Sequence, residues 1–112
     1  INNLRDRESD LSAGKFTLAT FLTEKRARLL PPFFIIAALC LPIYFLIQTI
    51  LNNTWGLKSL GPIFVLLLPF FFTKIFRICL TTPSGPQHNE ALALTGKLLF
   101  LYNLGMAFFN IL

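Results

Sequence analysis

The chain has 112 residues, of which 54% are hydrophobic and 13% charged, and its formal net charge is +5. Soluble proteins cover their surface with roughly 25–35% charged residues, so this composition excludes an ordinary soluble domain and indicates a membrane protein. The basic surplus does not indicate a nucleic-acid partner, because six of the ten basic residues lie before Leu29, interleaved with four acidic ones, and form no basic face.

Residues 1–28 form a polar segment in which two carboxylates are regularly spaced. On a helix, Asp6 and Asp10 share one face with Asn2, since residues four apart lie above one another, and Asn3 lies beside them. The two negative charges repel each other by about 0.2–0.5 kcal/mol in water, so the arrangement favours a bound cation. Carboxylate oxygens that share a metal with substrate phosphates are typical ligands of Mg²⁺, which we therefore predict here.

The residues after the acids fit a phosphate-containing ligand. Lys15 follows the carboxylates by one to two helical turns and is placed to meet phosphate oxygens, while Gly14 permits close approach of the backbone. Glu8 points to the other side of a straight helix, which favours a solvated or salt-bridged role for it. A structural interpretation stays open, because aspartates four residues apart are common on solvated helix faces.

Three apolar runs follow, and they predict an all-α membrane protein with three transmembrane helices. The first run, 29–51, contains no charged residue and is long enough, at 1.5 Å per residue, to cross roughly 30 Å of hydrocarbon. Pro42 predicts a kink within it, because proline lacks the N–H of a helical hydrogen bond. The runs 59–82 and 91–112 are of similar length and carry few charges.

The loops predict how these spans are oriented in the cell (inner) membrane. The side richer in Lys and Arg normally stays in the cytoplasm, so residues 1–28 are predicted there and the loop 52–58, which holds a single lysine, is predicted outside. The loop 81–90 then returns to the cytoplasm, and Leu112 ends outside. His88, in that second loop, is predicted to be solvated.

Small and polar residues within the spans predict helix contacts. Tyr44 and Gln48 share a face of the first span. Contact with a neighbouring helix is the commoner reason for such residues, and lining of a substrate cavity is the alternative. Gly96, Asn103 and Asn110 recur every seven residues in the third span and predict a stripe that packs helix on helix.

The string from Asn2 to Leu18 resembles the second aspartate-rich motif of the intramembrane aromatic prenyltransferases, the UbiA superfamily, and is most similar to that of the menaquinone-type enzymes. That motif has an asparagine pair, an arginine, closely spaced acids and then A-G-K-x-T-L. The chain departs from it at Phe16, where related enzymes usually have Arg or Lys, and at Thr23, where glycine is usual. The matching residues are Asn2, Asn3, Arg5, Asp6, Glu8, Asp10, Ala13, Gly14, Lys15, Thr17 and Leu18.

The resemblance implies a bundle of nine transmembrane helices, in which this motif lies on the cytoplasmic side between helices six and seven. The three predicted spans then correspond to helices seven to nine. We therefore expect the chain to be the C-terminal part of one larger domain, with the N-terminal helices of the same protein as its partners. The family's other aspartate-rich motif, between helices two and three, has no match in this sequence.

The resemblance also implies an activity and the residues that serve it. Enzymes of the family use Mg²⁺ to ionise a prenyl diphosphate, and an aromatic acceptor, here 1,4-dihydroxy-2-naphthoate in menaquinone biosynthesis, attacks the allylic cation. Asp6 and Asp10 are then the catalytic metal ligands. The implied substrate-binding residues are Lys15, Arg5, Asn2, Asn3 and Thr17.

Two other functions stay open. A prenyltransferase for another acceptor, such as 4-hydroxybenzoate, homogentisate or a chlorin, shares the same chemistry. A non-catalytic three-span scaffold subunit would use the acidic segment only to solvate the edge of the membrane. The lipid bilayer is a partner under each of these interpretations.

Overall fold

The computed structural model describes the backbone of residues 1–111 and the side chains of residues 1–108. Within this part of the chain all regular structure is helical, which confirms the predicted all-α class. The helices form an elongated molecule of 55 × 22 × 22 Å. In chain order they are α1 (Asn2–Arg5), α2 (Arg7–Ser12), α3 (Leu18–Phe21), α4 (Glu24–Ala27), α5 (Leu30–Ala38), α6 (Cys40–Leu51), a 3₁₀ turn (Leu57–Ser59), α7 (Leu60–Phe71), α8 (Thr73–Thr81) and α9 (His88–Ile111).

Two helical stretches within the described residues are long and apolar enough to cross a membrane, namely Glu24–Leu51 and His88–Phe108. The helices Leu57–Phe71 and Thr73–Thr81 pass the same test together and make a third span if the bent pair counts as one. By length and composition, two or three helices could therefore cross a membrane. Leu112, predicted to end outside, lies beyond the described residues.

The first stretch is interrupted one turn before Pro42, where the sequence predicts a kink. Helix α5 ends at Ala38 and α6 begins at Cys40. Pro42 has no N–H to donate to the carbonyl of Ala38, which would leave that oxygen without its helical partner. The hydroxyl of Tyr102, on α9, donates to this carbonyl at 2.8 Å. A side chain of α9 thus supplies the hydrogen bond that the proline removes.

The second predicted span, 59–82, is not one straight helix. Helices α7 and α8 meet at Phe72 with a bend of 44°. After the bend the helix is amphipathic, since Ile75 is fully buried while Lys74 and Arg77 are exposed. The uniform apolar run of α7 therefore gives way to a helix with one polar face.

Helix α9 packs most extensively against α7 and begins at His88, three residues before the predicted run. Gly105 lies at this contact, where a Cβ atom would come within 2.7 Å of Val65 Cγ2 and 3.0 Å of Phe64 Cδ1. The two helices can therefore approach this closely only because Gly105 has no side chain.

The predicted packing stripe does not make this contact. Gly96 and Asn103 are exposed, and the side chain of Asn110 lies outside the described residues. The close contact between α7 and α9 is made at Gly105, and packing of the stripe against another helix stays a prediction.

The largest cluster of buried apolar side chains joins α7, α8 and α9. Many large apolar residues face outward instead, among them Phe70 and Phe71, which are 73% and 80% exposed. Such a surface suits lipid or further apolar helices rather than water. The members of the buried cluster are Leu68, Ile75, Cys79, Ala91 and Leu98.

Candidate functional site

The aspartate-rich segment, residues 2–18, is not one regular helix, because the helix breaks at Asp6 between α1 and α2. Asp6 has φ −91° and ψ 5°, outside the helical region. Adjacent side chains on a regular helix diverge, so a neighbouring arginine and aspartate would not meet there. At the break they do meet, since Arg5 Nε and Nη2 each donate to one oxygen of Asp6 at 2.7 Å.

This bidentate pair sets the protonation of Asp6. Hydrogen bonds from Arg5, together with the charges of Arg5 and Lys15, lower the pKa of the Asp6 carboxyl below its usual range, against a smaller opposing effect of desolvation. The same hydrogen bonds raise the pKa of Arg5. Asp6 is therefore a carboxylate at neutral pH, as a metal ligand must be.

Gly14 ends α2 and turns the chain so that Lys15 meets Asp10. Gly14 has φ +66°, the left-handed conformation that glycine adopts without strain. The N–H groups of Gly14 and Lys15 donate to the carbonyls of Leu11 at 3.2 Å and Asp10 at 2.8 Å, the pattern of a Schellman cap. Lys15 Nζ then lies 3.4 Å from Asp10 Oδ1.

The Gly14–Lys15 sequence therefore has a physical explanation in the cap. No atom lies within 4 Å of the position where a Gly14 Cβ would stand, so the glycine is needed for its backbone angle and not for space. The predicted contacts of the Gly14 backbone and of Lys15 with phosphate oxygens stay a prediction.

Arg7 and Thr17 fasten the segment to the short helix α3. Arg7 Nε and Nη2 donate to the carbonyl oxygens of Ala19 at 2.9 Å and Leu22 at 3.0 Å. Thr17 caps α3, since its hydroxyl accepts from the N–H of Thr20 at 3.2 Å and its own N–H donates to Thr20 Oγ1 at 2.8 Å. Thr17, implied as substrate-binding by the resemblance, thus has a structural role in the cap.

The loop between α8 and α9 and the first turn of α9 contact residues 1–28. Glu24 Oε1 accepts from Arg28 Nη2 at 2.5 Å, and also from the backbone N–H of Ser84 at 3.0 Å and its hydroxyl at 3.3 Å. Asn89 Oδ1 accepts from Arg5 Nη1 at 3.0 Å. The two segments that the charge pattern predicts on the same side of the membrane therefore lie at the same end of the molecule.

A polar groove of about 420 Å³ separates the segment from the loop. Glu8 lines it beside Asp6, although a straight helix would point Glu8 away; the break at Asp6 accounts for the difference. Asp10 does not line it and is only 8% exposed. The lining residues are Arg5, Asp6, Glu8, Ser9, Ser84, Gly85, Pro86 and Asn89.

The predicted site residues are therefore only partly brought together. Arg5 and Asp6 share the groove, while Lys15 and Asp10 form a separate pair one turn further on. The side chains of Asn2 and Asn3 are exposed and do not line the groove.

The donor set fits Mg²⁺ as part of a coordination shell. Among the described residues, no group of three or more His, Cys, Asp and Glu side chains is arranged to hold a metal ion. Mg²⁺ usually takes only one or two protein carboxylates and completes its shell with water and phosphate oxygens. Asp6, which lines the groove, supplies one such carboxylate; Asp10 lies one helical turn further on, with its N–H donating to the Asp6 carbonyl at 2.9 Å and its side chain paired with Lys15.

The prediction of a solvated His88 is wrong. The side chain is fully buried at the start of α9, and its Nδ1 lies 3.3 Å from the carbonyl oxygen of Gly85. Its Nε2 has no hydrogen-bond partner among the described residues. The loop sequence, rich in Pro, Ser and Gly, looks solvated, and its burial depends on contacts with residues some sixty positions away, such as the Glu24–Ser84 pair. Asn89 and Ser84 were missed for the same reason.

A second cavity, of about 300 Å³ and almost wholly apolar, lies between α5, α7 and α9. Neither Tyr44 nor Gln48 lines it, and Tyr44 is 53% exposed on the outside of α6. The cavity is lined by Phe34, Ile35, Ala38, Leu39, Val65, Leu68, Pro69, Thr95, Leu98, Leu99 and Tyr102.

Comparison with known proteins leaves the family open. No protein-family model, no curated protein and no solved structure matches this chain. The groove and the residues of the aspartate-rich segment are therefore the observations that bear on function.

Proposed function

We propose that the chain is the C-terminal third of a UbiA-type intramembrane prenyltransferase, which transfers a prenyl group from a prenyl diphosphate to an aromatic acceptor, 1,4-dihydroxy-2-naphthoate in menaquinone biosynthesis. The observation that carries the proposal is the polar groove at one end of the helices, in which a carboxylate and a guanidinium of the aspartate-rich segment face a loop. The groove has room for a diphosphate and lies at the end of helices apolar enough to span a bilayer.

In this proposal Asp6 and Asp10 hold Mg²⁺, which when bound supplies positive charge to the leaving diphosphate. Arg5 and Lys15 neutralise diphosphate oxygens that the metal does not reach. Each of these cations already pairs with one of the two aspartates. The four side chains thus carry no net charge before a ligand binds, which keeps the segment stable without its metal.

The apolar cavity supports the proposal that the substrate carries a prenyl chain. It borders α9 from Thr95 onward, six residues or about 9 Å along the helix from Asn89 at the groove. A prenyl chain bound by its diphosphate in the groove could extend along α9 into apolar surroundings. The naphthoate acceptor rather than 4-hydroxybenzoate, homogentisate or a chlorin is favoured by the A-G-K-x-T-L string alone.

A non-catalytic scaffold subunit is the second candidate, and the same ion pairs favour it. Asp6 and Asp10 each have a cation from their own segment, so neither needs a metal to be stable. In that case the segment would anchor the loop at the membrane edge, and Mg²⁺ would have no effect on the protein.

Carboxylate-to-amide substitutions in the complete protein test the proposal. With geranyl diphosphate, 1,4-dihydroxy-2-naphthoate and Mg²⁺, we expect Asp6→Asn and Asp10→Asn each to lower turnover by about 10²-fold or more, because they remove transition-state stabilisation at the diphosphate. The amount of protein in the membrane should stay nearly constant. Glu90→Gln is the matched control, since Glu90 is exposed, pairs with Lys74 and lies outside the groove lining.

Near-normal turnover of both aspartate variants across a Mg²⁺ titration would reject the metal assignment and favour the scaffold. Transfer to another acceptor in preference to the naphthoate would keep the chemistry and change the substrate.

A further inference from the structure

Asn89 connects the third span to the aspartate-rich segment. Its side-chain Oδ1 accepts a hydrogen bond from Arg5 Nη1 at 3.0 Å. Its own N–H donates to the carbonyl of Pro86 at 3.0 Å, which fixes the residue in the first turn of α9. The side chain also lines the polar groove. An asparagine at the start of a membrane helix therefore contacts the guanidinium that pairs with Asp6.

The turn that carries Asn89 is held from two sides. Fully buried His88 precedes Asn89, and its backbone N–H donates to the carbonyl of Gly85 at 3.1 Å. Ser84 is tied to Glu24 through its N–H and its hydroxyl. These hydrogen bonds fix the backbone that carries Asn89, so its amide oxygen has a defined position, as it would not in a solvated loop.

Three hydrogen bonds orient the Arg5 guanidinium. Nε and Nη2 donate to the two oxygens of Asp6, and Nη1 donates to Asn89. Because the guanidinium is planar, a third hydrogen bond from the remaining nitrogen fixes the plane of the group as well as its position. Two further N–H groups have no partner among the described residues, and Arg5 lines the groove.

We infer that Asn89 is a positioning residue of the proposed diphosphate site, where it holds Arg5 at the groove while the guanidinium exchanges Asp6 for diphosphate oxygens. The inference rests on the proposed function. A diphosphate carries more charge than one carboxylate and competes for the same donors. An arginine that stays tethered at Nη1 loses less side-chain freedom when it changes partner, so the tether favours binding of the diphosphate.

The test is steady-state kinetics of the complete enzyme with geranyl diphosphate, 1,4-dihydroxy-2-naphthoate and Mg²⁺. We expect Asn89→Leu to raise KM for geranyl diphosphate about 3- to 10-fold, the effect of one exposed hydrogen bond to a charged group. The KM for the acceptor and kcat should change less than about 2-fold, because Asn89 does not act on the chemical step. Gln87→Leu is the control, since Gln87 is an exposed polar residue directly before α9, and it should change neither constant.

A double-mutant cycle separates a positioning role from a merely structural one. If Asn89 acts through Arg5, then Asn89→Leu has no further effect on KM in an Arg5→Met background. Equal effects of Asn89→Leu in both backgrounds, or none in either, would overturn the inference while Asp6→Asn still abolishes turnover and the proposed function stands. Full activity of Asp6→Asn, or none in the wild type, would instead reject the proposed function and the inference with it.

Discussion

At the residue scale, the sequence indicates which side chains carry charge but not which of them meet. The spacing of Asp6, Asp10 and Lys15 places acid and base on one segment, and the Lys15–Asp10 pair follows from local chain geometry alone. The Arg5–Asp6 pair does not follow, because adjacent residues meet only where the helix breaks. The Arg5–Asn89 contact spans 84 positions and carries no signal in residue spacing.

Acidification should weaken the molecule through Asp6. The pKa of this carboxyl is lowered, chiefly by hydrogen bonds from Arg5, so its contribution to stability is complete above the ordinary aspartate range and is lost as the pH falls through the lowered value. We expect the difference in Tm between wild type and Asp6→Asn to be constant above about pH 5 and to shrink below about pH 4. Thermal unfolding in detergent across this range measures it.

The control for this prediction is Arg5→Met, which removes the donor and should lower the Tm at neutral pH in the same way. A Tm difference between wild type and Asp6→Asn that does not change between pH 6 and pH 3 would show that the ion pair contributes nothing to stability.

At the element scale, composition predicts where helices lie better than where they bend. Apolar runs locate all three hydrophobic stretches, because the desolvation of the backbone in lipid permits little other than helix. The bend at Phe72 was not predicted, although Pro69 lies three residues before it. The start of α9 at His88 was missed because the residues judged to be loop make contacts distant in sequence, Asn89 with Arg5 and Glu90 with Lys74.

Tyr102 should contribute measurably to the packing of α9 on α5. Its hydroxyl donates to the Ala38 carbonyl that Pro42 leaves free, so Tyr102→Phe leaves that oxygen without a partner. We expect a loss of about 0.5–1.5 kcal/mol in the free energy of unfolding, measured by denaturation in detergent micelles.

Tyr44→Phe is the matched control, since Tyr44 is 53% exposed and keeps its ring contact with Phe45. Equal stability changes in the two variants would mean that the Tyr102 hydrogen bond does not compensate for the proline. Tyr102→Phe combined with Pro42→Ala should recover the loss, because the backbone then supplies the missing donor.

At the scale of the whole molecule, the described residues would form one side of the proposed diphosphate site. The groove holds the carboxylates of Asp6 and Glu8, with Asp10 one turn away, while clamping a diphosphate from both sides in the proposed mechanism requires a second aspartate-rich motif. The outward-facing apolar surface of the helices, including Phe70 and Phe71, has the character of a surface that further helices cover. In the proposed function, other helices of the same protein cover this surface and complete the site.

Reconstitution from two parts tests this account most directly. The 112-residue chain, expressed alone in membranes, should transfer no prenyl group from geranyl diphosphate to 1,4-dihydroxy-2-naphthoate. Co-expression with the proposed N-terminal helices should yield Mg²⁺-dependent transfer, and Asp6→Asn in the 112-residue chain should abolish it. Mg²⁺-dependent transfer by the purified chain alone would contradict the two-motif site, and reconstituted transfer that is unaffected by Asp6→Asn would contradict the role assigned to this segment.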